Sequence, residues 1–500
     1  MILSALLALI LSASLFAGCA KPETPADTGS SPAAATSGQP DGTETEQTAD
    51  TAYGAPAVID TGRFVYRMLM KDNKLWVQMH FSESETENGD AINDALYSRE
   101  TLVESLYNCE IEHTVDSNAA TLIANASSAG DPVCEAIFMP ATTTFSGAVN
   151  GLLLDLNTVD GFRTDAPWWD ARVIKEYAVG PRLFTLDGEI NIRDDLRTMG
   201  VIYNKELYND YGYNATYGKP YDIVSAGNWT YEMLMEMIKD KTADPNDTKG
   251  MWGMLSEVSA PYYFFLGSGL KTLTNEGGEF TCHLAEEKVS NFFQKTALMA
   301  SNKDIMIVNN GNYFSSSEQW TAAVNIFKSG NCLFRSTTLS SVNGLTDMKS
   351  DYGILPIPNS GGGSREYYCY ASGSNTSPLS MPRNLADTDF AVAITEALAY
   401  YSLNGQREGA MTLHGAFYSI LGDARLARTF EDVAMLDTVF SSKTYDIDQT
   451  AGITGFESAF YQIVKGGGVN GVATAVTATS KSANAKLAKF LADLDGKYAS

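Results

Sequence analysis

The chain has 500 residues, of which 60 are acidic and 35 basic, giving a formal net charge of −25. That balance argues against nucleic acid as a partner, since phosphate binding needs a basic face that releases counterions, and against docking on anionic lipid through basic patches. With 44% hydrophobic and 11% aromatic residues the chain can bury a core, which excludes a mostly disordered protein. Its length suits two or three domain-sized units.

The first element is an apolar run, ILSALLALILSASLFA, over residues 2–17. It is short for a membrane span and fits the apolar region of a secretory signal. Ala17 and Gly18 precede Cys19, which resembles a bacterial lipobox, where such a cysteine is diacylated and becomes the mature N-terminus. Phe16 stands where that pattern usually has Leu, and no Lys or Arg precedes the run. The other readings are a plain cleaved signal or a membrane anchor. Residues 20–56, rich in Thr, Ser, Pro, Gly and acid, predict a disordered tether. Together these place the folded part outside the cytoplasmic membrane, anchored by lipid at Cys19. No later stretch reaches about 18 apolar residues.

From about residue 57 the pattern becomes α/β. KLWVQMHF (74–81), CEIEHTV (109–115) and CEAIFMP (134–140) read as strands, alternating with helices at 94–107, 118–128 and 146–156, the last burying Leu152, Leu153 and Leu156. This alternation predicts a parallel, doubly wound sheet, whose ligands sit beyond the carboxyl ends of its strands. Those ends are Ser82-Glu83 and Ala141 to Thr144. Next, LFTL-DG-EINI (183–192) predicts a hairpin about Asp187-Gly188. MGVIYNKELY (199–208) reads as strand into helix, and Thr230 suits the cap of a helix to about 240. Helices follow at 285–301 and 318–329, strands at 332–337 and 352–358, and helices from Phe390 onward.

The segments GLLLDLNTV, PWWDARVIKEYAV, MGVIYNKELYNDYGY and YDIVSAGNWTYEML, then AAVNIFKSGNCLF, DYGILPIP and MPRN, resemble in order and spacing the extracellular solute-binding lipoproteins of ATP-driven importers, in their carbohydrate-binding branch. The resemblance spans roughly residues 74–470. It implies a two-lobed periplasmic-binding-protein-like fold, each lobe a mostly parallel sheet flanked by helices, with a ligand cleft closing about a two- or three-segment hinge. The expected organisation is 57–165 in lobe 1, 166–334 in lobe 2, 335–388 returning to lobe 1, and 389–500 mainly in lobe 2. It further implies a non-catalytic monomer with no cofactor that delivers its solute to permease subunits in the membrane. A surface glycan-degrading lipoprotein is the alternative, and an adhesion or scaffold lipoprotein a weaker one.

A sugar presents hydroxyls on its rim and an apolar C–H face, matched by carboxylates, amides and aromatic rings. Such residues stand where loops should leave strands: Glu83; Thr142, Thr143 and Thr144; Trp168, Trp169 and Asp170; Tyr203 and Asn204; Trp252; Tyr262 and Tyr263; Tyr367 and Tyr368. Several suit the core equally well, notably Tyr262-Tyr263 before Phe264-Phe265, and Asn204 equally suits a helix start. Trp229 reads as core. No metal site is expected: Asp244, Asn246 and Thr248, in a stretch where relatives often carry a calcium-loop-like sequence, supply too few strong oxygen donors. Beyond Cys19, the five cysteines Cys109, Cys134, Cys282, Cys332 and Cys369 form no C-x-x-C pair and read mainly as buried thiols, with one disulfide left open. The four histidines lie far apart. Gly466 to Gly471 matches G-x-G-x-x-G, but it follows an expected helix and reads as a turn.

Overall fold

The computed structural model describes residues 53–71, 81, 86–405, 411–422, 427, 429–466 and 470–499. The leader, Cys19, most of the tether, residues 74–80 of the first expected strand, Glu83 and Gly467 to Val469 lie outside the described residues. In chain order the described strands are β1 (Phe64–Met70), β2 (Cys109–Val115), β3 (Ala136–Phe138), β4 (Met199–Asn204), β5 (Trp252–Ser256), β6 (Leu273–Glu276) and β7 (Glu279–Cys282). There follow β8 (Ile305–Ile307), β9 (Cys332–Thr338), β10 (Tyr352–Leu355), β11 (Cys369–Tyr370), β12 (Leu379–Ser380) and β13 (Lys443–Thr444).

The first sheet has the order β12-β3-β1-β2. Its central strand is FVYRMLM, which opens on aromatic and β-branched residues, and not the expected 74–81, whose described residue Phe81 lies in no strand. β1 runs parallel to β2, from Phe64 opposite Cys109 to Met70 opposite Val115, and parallel to β3. β12 closes the edge antiparallel to β3. The second sheet has the order β10-β4-β9-β5-β8, parallel across β9, β5 and β8 and antiparallel across β10, β4 and β9. The first sheet is mostly parallel, as expected, with one antiparallel edge strand, and the second is evenly mixed.

Local chemistry explains most helices. Asp90 caps the helix Ala91–Tyr107 through the Asn93 N–H, and Ile92, Ala95, Leu96, Arg99, Val103 and Tyr107 line its buried face at helical spacing. Thr230 caps Tyr231–Ile238 as expected, its hydroxyl accepting from Met233 N–H at 3.1 Å. The helix expected at 146–156 instead spans Ala141–Val149. It starts directly after Pro140, and the chain then turns through Gly151, whose φ of 74° is one L side chains avoid. The expected hairpin at 183–192 is replaced by two separate pairings, Leu186 with Leu379 and Gly188 with Trp169. The buried Asp187 carboxylate accepts from Gly188 N–H and Asn191 Nδ2 and organises this turn.

The lobe assignments change accordingly. Trp168, Trp169, Leu183, Leu186 and Ile190 pack with Tyr66, Met68 and Leu379 and with Ala391, Ile394 and Leu398 of the helix Thr388–Leu403. The chain therefore stays on the first sheet until β4, rather than leaving it at 166. β9 and β10 belong to the second sheet, so the return comes near β12 and not at 335. The helix Thr388–Leu403, expected in lobe 2, packs on the first sheet. Periodicity reports which face of an element is buried, but not against which sheet.

Candidate functional site

Among the described residues, three extended segments run between the two sheets. Thr198, just before β4, bridges Ala371, just after β11, and β11 pairs in parallel with β13. Their position locates the cleft. Met199 pairs with Thr338 at the carboxyl end of β9, and the stretch after Ala371 leads into Leu379, opposite Phe138 at the carboxyl end of β3. The carboxyl ends of the parallel strands in both sheets thus lie toward the joining segments, and the crevice expected there is where α/β sheets hold ligands.

Lobe 1 contributes Lys71, just past β1, whose Nζ lies 3.3 Å from Thr143 Oγ1. Thr142 and Thr143 are half-buried, and the Thr142 N–H donates to Gly373 O at 3.2 Å. Thr144 is turned into the core. Lobe 2 contributes Glu257, the first residue beyond β5. The hydroxyls of Ser256 and Ser336 are bonded at 2.7 Å across the ends of β5 and β9, and Asn309 Oδ1, beyond β8, accepts from Val258 N–H at 2.6 Å. Burial pushes the Glu257 carboxyl up to about 7, against the pull of Arg335 and a hydrogen bond with Ser259. Arg335 is buried, which presses its guanidinium down to about 10. The ring of Tyr263 lies 5.3 Å from that of Tyr370, and its hydroxyl shares Ser259 and lies within electrostatic range of Glu257, Glu457 and Tyr461. Carboxyls, hydroxyls, a guanidinium and tyrosine rings thus converge at one end of the second sheet.

Tyr263 is the sequence candidate that belongs to this cluster, and Thr142 and Thr143 stand at the opposite rim. Others serve the core. The indole N–H groups of Trp168 and Trp169 both donate to the buried Glu396 carboxylate, at 3.0 and 2.7 Å. Asp170 caps the helix Ala171–Tyr177 and pairs with Arg172 at 2.8 Å. Tyr203 and Asn204 end β4, which runs antiparallel to β9, so they sit at the end away from the crevice. There Asn204 caps Leu207 N–H at 3.1 Å. Trp252 begins β5 and is likewise remote, its indole N–H on Asp247 O. Tyr262 donates to Asp446 at 3.2 Å and Tyr367 to Val224 O at 3.0 Å, while the half-buried Tyr368 donates to Glu366 at 2.6 Å. Glu257 and Arg335 were not among the sequence candidates. The available signal was an acid directly after WGMLS and a lone Arg inside CLFRST.

A groove of 420 Å³ on the outside of lobe 2 is lined by Tyr231, Glu232, Lys239, Lys295 and Asp304, and another of 380 Å³ runs between the helix Ala141–Val149 and the C-terminal helix. Neither includes Glu257 or Arg335. In the 243–253 loop, Asp244 and Asp247 accept from the backbone N–H groups of Asn246 and Lys249. All five cysteines are free, so the disulfide left open by the sequence does not form.

Residues 113–403, more than half the chain, match the family described as bacterial extracellular solute-binding protein. The chain belongs to that family. Its members bind solutes without catalysis, which decides against the glycan-degrading alternative. Among solved structures, this solute-binding protein is similar to a cyclo/maltodextrin-binding protein complexed with maltotetraose, with a TM-score of 0.57 and 12% identity over 85% of this chain and 97% of that one. It is also similar to the ABC substrate-binding protein Lmo0181 from Listeria monocytogenes in complex with cycloalternan, with a TM-score of 0.51 and 12% identity over 85% and 99%. At that identity the likeness is one of fold. No curated protein sequence matches.

Proposed function

We propose that this solute-binding protein is the lipid-anchored, monomeric receptor of an ATP-driven importer, and that it captures a mono- or oligosaccharide between its lobes. The observation that carries the reading is the convergence of Glu257, Ser259, Tyr263 and Arg335 at the strand ends of lobe 2, across the three-segment hinge from Thr142 and Thr143. Hydroxyl-rich solutes suit carboxyls, guanidinium and hydroxyls, and tyrosine rings suit the C–H face. The bound sugars named for the two similar structures support the same class. Lobe closure follows if the solute binds the closed form better than the open one, and the closed shape is what permease subunits would engage.

The test is a thermal-shift series on the protein from about residue 50 against mono- and oligosaccharides, including maltotetraose. Ligand at about 100 times its dissociation constant adds about 2.7 kcal/mol of stability, a rise of several degrees for lobes of this size. Glu257→Gln should weaken or abolish that shift while leaving the unliganded melting temperature unchanged or higher. Absence of any shift across the series would refute the sugar assignment. The anchor has its own test: Cys19→Ala in the full chain should release the protein from the membrane fraction, and retention would refute lipidation there.

A further inference from the structure

We propose that the captured solute carries an acidic group, a carboxylate of the uronic-acid kind, and that Arg335 receives it. This rests on the receptor reading above and names the substrate class within it.

Arg335 lies within β9, opposite Leu255 of β5 and Ile202 of β4. Glu257 stands two residues beyond Leu255, just past the end of β5, and Arg335 lies mid-strand on β9, on the face of the sheet that Leu255 and, by alternation, Glu257 share. Arg335 is 4% exposed, no described residue accepts a hydrogen bond from its guanidinium, and its Nη1 is fully enclosed. Arg99 Nε and Arg193 Nη1 are likewise enclosed without an acceptor, but those guanidinium groups make other bonds, Arg99 to Ile190 O and Ser402 Oγ and Arg193 to Asn375 O. A guanidinium offers five donors and no acceptor. Leaving such donors unmade costs more than a typical bond gains, and an uncompensated buried charge costs more still.

Glu257 is the carboxyl whose charge Arg335 senses, yet no ion pair joins them. Burial holds that carboxyl above its ordinary value, and with no bond between the two groups Arg335 lacks a paired counter-charge. Glu457, near Tyr263 on the helix Phe456–Lys465, is also held up by burial. A sugar hydroxyl would satisfy the N–H groups but not the charge. A carboxylate does both, and matches the planar fork of the guanidinium. A protonated Glu257 can then donate to the same group.

The experiment compares the wild-type protein with Arg335→Met, Arg335→Lys and Glu257→Gln by melting and calorimetry. The probes are oligogalacturonate, oligoglucuronate and neutral maltotetraose. Expected are acidic-oligosaccharide binding by the wild type, weakened about 10- to 100-fold in Arg335→Met, and an intermediate loss in Arg335→Lys. Glu257→Gln should weaken binding of the acidic probe as well, but by less than Arg335→Met does. Unliganded Arg335→Met should melt at or above the wild type. Melting well below it would make Arg335 structural and overturn the proposal. Binding of maltotetraose alone, undisturbed in Arg335→Met, would overturn it while sparing the receptor reading. No binding by any probe would overturn both.

Discussion

Replacing Glu396 tests the reassignment of the tryptophan pair. Its buried carboxylate accepts from Trp168 Nε1 at 3.0 Å, Trp169 Nε1 at 2.7 Å and the Arg163 backbone N–H at 3.1 Å, and Arg163 Nε lies 3.5 Å away. Burial nonetheless wins over these bonds and holds the carboxyl above its ordinary value. In Glu396→Ala both indole donors lose their acceptor inside a core where Tyr400 meets Trp168 edge-on at 5.2 Å. Each stranded donor costs about 1–3 kcal/mol, and the half-exposed Arg163 contact adds little. The expected loss is about 3–5 kcal/mol, a large share of a total of about 5–15. Glu396→Gln keeps one oxygen but turns an amide N–H₂ toward an indole, for an expected loss of about 1–2 kcal/mol. Urea unfolding followed by tryptophan fluorescence reads both, with the slope m unchanged. A loss below about 1 kcal/mol for Glu396→Ala would refute the anchoring argument and reopen a ligand role for these rings.

Stability should rise as pH falls from 8 toward 5.5. Glu257 and Asp446 are raised to about 7, Asp194 to about 6, and Asp187, Glu396 and Glu457 lie above their ordinary values, all by burial. The native state therefore binds more protons than the unfolded chain in this window, and stability falls with rising pH. His414, raised by Glu189, acts in the same sense: its contribution is present below its unfolded value and lost as pH rises through the folded one. Asp170, held low mainly by Lys443 and Arg172, withdraws stability only as pH falls below its ordinary 3.8. A melting temperature that climbs between pH 5.5 and 8 would contradict the scheme. At the hinge, Lys443 Nζ bonds Asp194 and lies 2.8 Å from Asp195 and 3.8 Å from Asp170. Lys443→Met strands these acids at an expected cost of about 3–5 kcal/mol at pH 8, shrinking toward pH 5 as Asp194 protonates. A variant that melts like the wild type at pH 8 would dismiss that network as a hinge support.

Local order was legible in the sequence wherever a side chain answers to its own neighbours. The helix Ala91–Tyr107, the cap at Thr230, the helix Gln319–Lys328 and the strands β2, β3 and β9 follow from spacing and caps that act within a few residues. The ordered segments that resemble the solute-binding lipoproteins carried the family and the two lobes. Direction and company were decided elsewhere. Tyr203 and Asn204 end a strand, but β4 enters the second sheet antiparallel to β9, so that end points away from the crevice. Trp168 and Trp169 have the composition of a sugar platform, yet their donors meet Glu396, more than 200 residues later in the chain. Glu257 and Arg335 are unremarkable in sequence, one just past β5 and the other within β9, and the pairing of those two strands brings them together. Hydrophobic period and capping are short-range and survive in a linear reading. Which strand lies beside which, and which buried charge finds a partner, depends on contacts between residues far apart in the chain, and these exist only in the folded protein.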